Sequence, residues 1–169
     1  MPAAADLKAS FAPVTDAGTR LLVLGSLPGE VSLRQAEYYA HPQNQFWRLM
    51  GAVVGAELAC VAYQTRLARL RDAGVGLWDV VRTARRAGSL DTAIRDHQPN
   101  ALADLAASLP ALRAIAFNGG KAAALGRVAL LGADSRWSLV DLPSSSPAYT
   151  IGFERKRIEW LKLTPFLQP

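Results

Sequence analysis

Four short apolar runs constrain this chain more than any other feature: Arg20–Gly25, Gly76–Val81, Arg113–Phe117 and Trp137–Leu142. Each has the length of a buried strand and is bounded by glycine, proline or polar residues. The stretches between them carry apolar residues at helical spacing. Phe46, Trp47, Leu49, Met50, Val53 and Val54 form one face of a helix that stops at Gly55. A second helix is predicted over Gln64–Ala73, with Leu67 and Leu70 inward, Arg66, Arg69 and Arg71 outward, and Gly74 closing it. Pro99–Leu109 reads as a helix with proline in its first turn. An alanine-rich helix follows Asn118-Gly119-Gly120-Lys121 to about Leu131. The last, about Gly152–Leu163, is expected to bury Phe153, Ile158 and Leu161 and to show Arg155, Lys156 and Arg157. Alternating strands and helices predict an α/β fold, with a mostly parallel four-stranded sheet covered by helices on both faces. Residues 1–18 read as an N-terminal arm and 19–169 as one domain, with no internal repeat and no linker to divide it.

In an open parallel sheet, ligands bind beyond the carboxyl ends of the strands. Every unusual segment here follows a strand: Gly25–Tyr39, Asp79–Arg86, Asn118–Lys121 and Pro143–Pro147. They are expected to meet on one rim. Arg82–His97 is a basic, irregular stretch.

Composition narrows the partners. No apolar run approaches the roughly 20 residues of a membrane helix, and the start lacks a basic region followed by an apolar one. One cysteine, Cys60, excludes an internal disulfide and a cysteine-built zinc site, and reads as a structural residue in an apolar stretch. With two histidines, His41 and His97, a protein-bound metal is not expected either. The expectation is a cytoplasmic, nucleoid-associated protein without metal. The net charge of +5 admits a polyanionic partner. Arg82, Arg85, Arg86, Lys121, Arg155, Lys156 and Arg157 all follow strand ends or sit on the last helix, as a rim that tracks phosphates would.

Several chemistries fail on spacing. Gly25-Ser26-Leu27-Pro28-Gly29 is not a dinucleotide fingerprint, and Asn118–Lys121 lacks the upstream glycine of a phosphate-binding loop. Ser144–Ser146 has no histidine and acid pair for a triad. Asn44 has two readings: a cap for the helix that begins near it, or a carboxamide that holds and polarises a water. Tyr38 and Tyr39 either pack on the core or stack on a flat ligand. Asp79 is a carboxylate in an apolar strand and needs partners there.

Tyr39-Ala40-His41-Pro42-Gln43-Asn44-Gln45-Phe46-Trp47, with Gly25-Ser26-Leu27-Pro28, Phe117-Asn118-Gly119 and Leu142-Pro143-Ser144-Ser145-Ser146-Pro147, resembles the uracil-DNA glycosylase superfamily. The closer similarity is to its hypoxanthine (deoxyinosine) branch, in consistent order over roughly residues 11–163. That resemblance implies a three-layer α/β/α sandwich, no metal and no cofactor. The implied partner is double-stranded DNA carrying a deaminated base, which is extruded into a pocket by a monomeric enzyme without a membrane anchor. It implies a substrate pocket made by Gly25, Ser26, Leu27, Pro28 and Gly29, with His41 and Asn118 from the other motifs. Tyr39 would stack on the base and Asp79 would stand where relatives read it. Lys121, Arg155 and the loop Pro143, Ser144, Ser145 and Ser146 would contact DNA. Where uracil enzymes carry a water-activating Asp or Asn, this chain has Leu27. The role passes to Asn44, and the expected substrate moves from uracil to hypoxanthine. The alternatives are a uracil or mismatch glycosylase, a non-catalytic DNA-binding module of the same fold, and a small-nucleotide hydrolase.

Overall fold

The computed structural model describes residues 7–133 and 136–169; residues 1–6 of the expected arm lie outside the described residues. Along the first half run β1 (Leu7–Ala9), β2 (Leu21–Gly25), α1 (Glu30–Gln35), α2 (Phe46–Val54), α3 (Tyr63–Asp72), β3 (Val75–Asp79) and β4 (Val81–Arg85). The second half adds β5 (Arg95–Pro99), α4 (Leu102–Ser108), β6 (Ala114–Asn118), α5 (Gly120–Ala129), β7 (Ser138–Leu142), α6 (Phe153–Trp160) and α7 (Thr164–Leu167).

The four expected strands pair in parallel, in the order β3-β2-β6-β7. Their side chains alternate between two cores. Leu21, Val23, Val75, Leu77, Ala114 and Ala116 face one side, where Phe46, Leu49, Met50, Leu70 and Trp160 complete the layer. Leu22, Leu24, Ile115 and Phe117 face the other, against Leu102, Ala106 and Ala122. Both faces are therefore buried, which is why β2 and β6 read as unbroken apolar runs rather than alternating ones. The fold is the expected α/β sandwich, with α2, α3 and α6 on one face and α4 and α5 on the other.

Four expectations are corrected. Arg82–His97 is not irregular: β4 and β5 are antiparallel and, with β1, form a second sheet in the order β1-β4-β5. Every residue of β5 is exposed, so no hydrophobic period announces it. Pro99 ends this edge strand instead of starting a helix, and α4 begins only at Leu102; an edge strand tolerates the missing N–H. In α6 the phase is turned. Ile158 is 59% exposed while Lys156 is 1% exposed, and Lys156, Trp160 and Leu163 make the buried stripe at i, i+4 and i+7. Cys60 is exposed rather than structural. From Leu7 on, the arm is tied down: β1 pairs with β4, and Val14 bridges Leu77. Among the described residues, no helix is long and apolar enough to cross a membrane.

Candidate active site

The carboxyl ends of β2, β3, β6 and β7 open on a cavity of about 540 Å³. It is lined by Gly25, Ser26, Leu27, Pro28, Gly29, Tyr39, His41, Asn44, Asp79 and Asn118, and by Ser144, Ser145 and Ser146. Thus the structure brings together every expected pocket residue and three of the expected DNA-contacting ones. Pro143, Lys121 and Arg155 lie off the lining.

Register explains the centre of the site. Gly25 and Asp79 are paired at the last rung of β2 and β3. The Asp79 side chain and the Tyr39 hydroxyl both crowd Gly25: a Cβ there would lie 2.6 Å from Asp79 Oδ1 and 2.9 Å from Tyr39 Oη. Only glycine leaves room for both. Asp79 is 3% exposed, its Oδ2 is buried without a hydrogen-bond partner, and so is Tyr39 Oη. Burial, with Asp91 adding to it and Arg86 opposing, pushes the Asp79 carboxyl up to about 7. Burial also raises the Tyr39 hydroxyl, so it stays protonated. The site offers a carboxyl that keeps its proton up to about pH 7 and, beside it, a phenol, with Asp79 Oδ2 and Tyr39 Oη both without a partner.

Tyr39 is held in an uncommon backbone conformation, φ +52°, of the kind that clusters at functional sites. Its ring stacks on Phe46, centroids 3.9 Å apart and planes 15° from parallel, and its carbonyl accepts a bond from Trp47 Nε1 at 3.1 Å. The aromatic platform is therefore fixed by the first turn of α2. Tyr38, by contrast, is core: its ring is buried and its hydroxyl donates to Ala12 O at 3.2 Å.

Asn44 stands one residue before the N-cap of α2, Gln45. Its Oδ1 accepts the Phe46 N–H at 3.0 Å, helping to start α2, and the residue also borders the cavity. One lone pair of the oxygen is used and one remains. Asn118 lines the cavity, but its carboxamide is committed to the loop after β7: Nδ2 donates to Ser145 Oγ and Oδ1 accepts the Ser145 N–H, both at 2.9 Å. That loop is clamped elsewhere too. Ser145 O accepts the Gln45 N–H at 3.0 Å, Pro143 O accepts Trp160 Nε1 at 2.9 Å, and Ser146 O accepts Lys156 Nζ at 3.0 Å.

Sequence reasoning missed one wall. The turn between β4 and β5 contributes Ser89, Leu90, Asp91 and Thr92 to the lining. Three side chains stitch it to the Gly25–Glu30 loop. Ser26 Oγ donates to Asp91 Oδ1 at 2.6 Å, the Glu30 N–H donates to Ser89 Oγ at 2.9 Å, and Arg86 reaches the Leu27 and Pro28 carbonyls. Leu27 sends its side chain into a small core with Val81, Ala84 and Ile94. Two members of the expected phosphate rim are corrected here: Arg86 and Lys156 are each 1% exposed and bond backbone carbonyls, so neither faces a nucleic acid. Arg82, Arg85 and Arg155 are exposed, and Lys121 and Arg157 are half-buried.

Fold and site together define a three-layer α/β domain with a cavity at the carboxyl edge of its sheet. The chain belongs to the uracil DNA glycosylase superfamily, whose family model matches residues 12–166. It is 46% identical over 114 residues to a hypoxanthine DNA glycosylase of Methanosarcina barkeri, covering 68% of this chain and 72% of that protein. A hypoxanthine DNA glycosylase of Methanosarcina acetivorans is 39% identical over 154 residues, 91% of this chain and 96% of the relative. A solution NMR structure from M. acetivorans, provisionally assigned as a uracil DNA glycosylase, superposes with a TM-score of 0.85 at 38% identity, covering 96% of this chain and 99% of that one.

Proposed function

We propose that this protein is a monofunctional DNA glycosylase. It takes a deaminated base, hypoxanthine first, out of the duplex and hydrolyses its N-glycosidic bond. The observation that carries the reading is a hydrogen-bond asymmetry in the pocket loop. The amides of Ser26, Leu27 and Gly29 meet no acceptor among the described residues, while the carbonyls of Gly25, Ser26, Leu27 and Pro28 are all bonded. Free N–H groups beside a cavity suit a leaving group that departs with negative charge. The next amide, that of Glu30, is taken by Ser89.

Extrusion costs a few kcal/mol of stacking and pairing. Tyr39, stacked from behind by Phe46, would receive the flat base. In its protonated form, which persists up to about pH 7, the Asp79 carboxyl presents one donor and one acceptor, which matches the N1–H and C6=O edge of hypoxanthine. In the chemical step the C1′–N9 bond breaks with its electron pair on the base, and a water oxygen forms the new bond to C1′. That water would be oriented by the remaining lone pair of Asn44 Oδ1. The carboxamide takes up no proton; the water releases its proton to solvent, and the base anion recovers one from there. With Leu27 packed into its own small core, that position has no group to hold a second water, and uracil excision should be slow. Lys121, near the start of α5, and Arg155, on α6, would contact backbone phosphates. Residues 19–169 would act as one domain and as a monomer.

Single-turnover assays on duplexes holding deoxyinosine, uracil or xanthine test the reading. Release of hypoxanthine faster than of uracil supports it. Inactivity on all three with duplex binding intact favours the non-catalytic module.

A further inference from the structure

Two of the four carbonyls that turn away from the pocket loop's free amides depend on a single side chain. Gly25 O accepts the Val80 N–H at 2.8 Å and Ser26 O accepts the Val81 N–H at 3.0 Å; these are sheet-like bonds that any sequence could make. Leu27 O and Pro28 O instead accept Nη1 and Nη2 of Arg86. Its Nε donates to Gly88 O at 2.7 Å, which sets the plane of the guanidinium. A trans peptide is planar, with N–H and C=O pointing in opposite directions. Fixing the Pro28 carbonyl therefore fixes the direction of the Gly29 N–H, one of the three free donors. No backbone neighbour performs this service, because the loop leaves the sheet at Leu27.

The choice of arginine is itself informative. Arg86 is 1% exposed and makes no ion pair among the described residues. A buried charge held only by carbonyls is costly. A neutral donor would serve a turn at less cost. The charge is nonetheless felt in the cavity: burial lowers the guanidinium's proton affinity, and Asp91 and Asp79, both on the lining, act to restore it.

We infer that Arg86 is a positioning residue of the glycosidic step. Its guanidinium holds the Leu27 and Pro28 carbonyls so that the Gly29 N–H faces the departing base, and its charge stands behind the negative charge that base acquires. This rests on the glycosylase reading above. Arg86 touches neither substrate nor water. It acts through the loop and through its field.

The experiment compares wild type, Arg86→Met and Arg86→Lys. It measures single-turnover release of hypoxanthine and, separately, affinity for a duplex with 2′-fluoro-deoxyinosine, whose glycosidic bond resists hydrolysis. Arg86→Met should lose about 10²-fold or more in rate, the scale of one lost oxyanion donor, with affinity changed less than about threefold. Arg86→Lys, which keeps the charge but not the fork, should fall between the two. If Arg86→Met does not fold, as judged by urea melts, Arg86→Ala assayed with added methylguanidinium replaces it; a rate rising with the additive supports the proposal, and one unmoved by it overturns the proposal. A folded Arg86→Met within threefold of wild type overturns it, as does a loss confined to affinity. Wild type unable to release hypoxanthine would instead sink the glycosylase reading, and this inference with it.

Discussion

The Asp79 carboxyl lends itself to a quantitative test. It titrates near 7 in the folded chain against an ordinary value of 3.8, chiefly because it is buried. Below about pH 4 it is protonated in both folded and unfolded states and imposes no penalty. As the pH rises towards 7 the unfolded chain releases this proton while the folded chain keeps it, so stability is lost. Above 7 the loss is complete. At about 1.4 kcal/mol per pH unit, the interval amounts to about 4 kcal/mol. Asp79→Asn removes the titration and keeps the shape. The variant should match the wild type, apart from a constant offset, at pH 4 and gain on it by about 4 kcal/mol at pH 8. For a chain of this size that is roughly 8–16 °C in Tm. Urea melts of both chains across this range, with equal m-values, give the difference directly, and groups common to both chains cancel. A gap that stays constant from pH 4 to pH 8 would refute the claim that the carboxyl sits unpartnered and desolvated.

Other outcomes follow from the same geometry. Asn44→Ala should cost about 1 kcal/mol of stability, the usual value of a lost cap, yet lower the single-turnover rate by more than 10²-fold; equal, small losses in both would reduce Asn44 to a cap. Gly25→Ala should destabilise by about 1–3 kcal/mol through overpacking against Asp79 and Tyr39, read as a shifted urea midpoint. Lys121→Ala and Arg155→Ala should each lower the slope of log affinity against log salt by about 0.9, one phosphate apiece. Lys156→Met should leave that slope unchanged, because its ammonium is spent on the Ser146 carbonyl.

The central sheet was legible because its strands are buried on both faces and announce themselves as apolar runs. The pocket loop was legible because glycines, prolines and tyrosines crowd into Gly25–Tyr39, where a strand of such a sheet ends. The opposite wall was not. Its strand β5 is exposed throughout, so only backbone pairing with β4 defines it, and Ser89, Asp91 and Arg86 were hidden in what reads as a basic loop. Strand parity could not have found the arginine: Val81 and Ala84 are both buried while Arg82 and Arg85 are exposed, because the β4–β5 pairing shifts register, so simple alternation does not place Arg86 inward. Lys156 misled for a related reason. Charge argues for exposure, but a long side chain can bury its stem when a carbonyl waits at its end. The i, i+4, i+7 spacing of Lys156, Trp160 and Leu163 was the better guide. Gly25 and Asp79 could be noticed separately in the sequence; that they share a rung required the register.

The most direct test is a single-turnover assay on a duplex with one deoxyinosine, run beside the same duplex carrying uracil. Free hypoxanthine should appear faster than uracil, leaving an abasic strand that breaks only after alkali. A folded protein that binds both duplexes and releases neither base would contradict the account, as would strand scission without alkali.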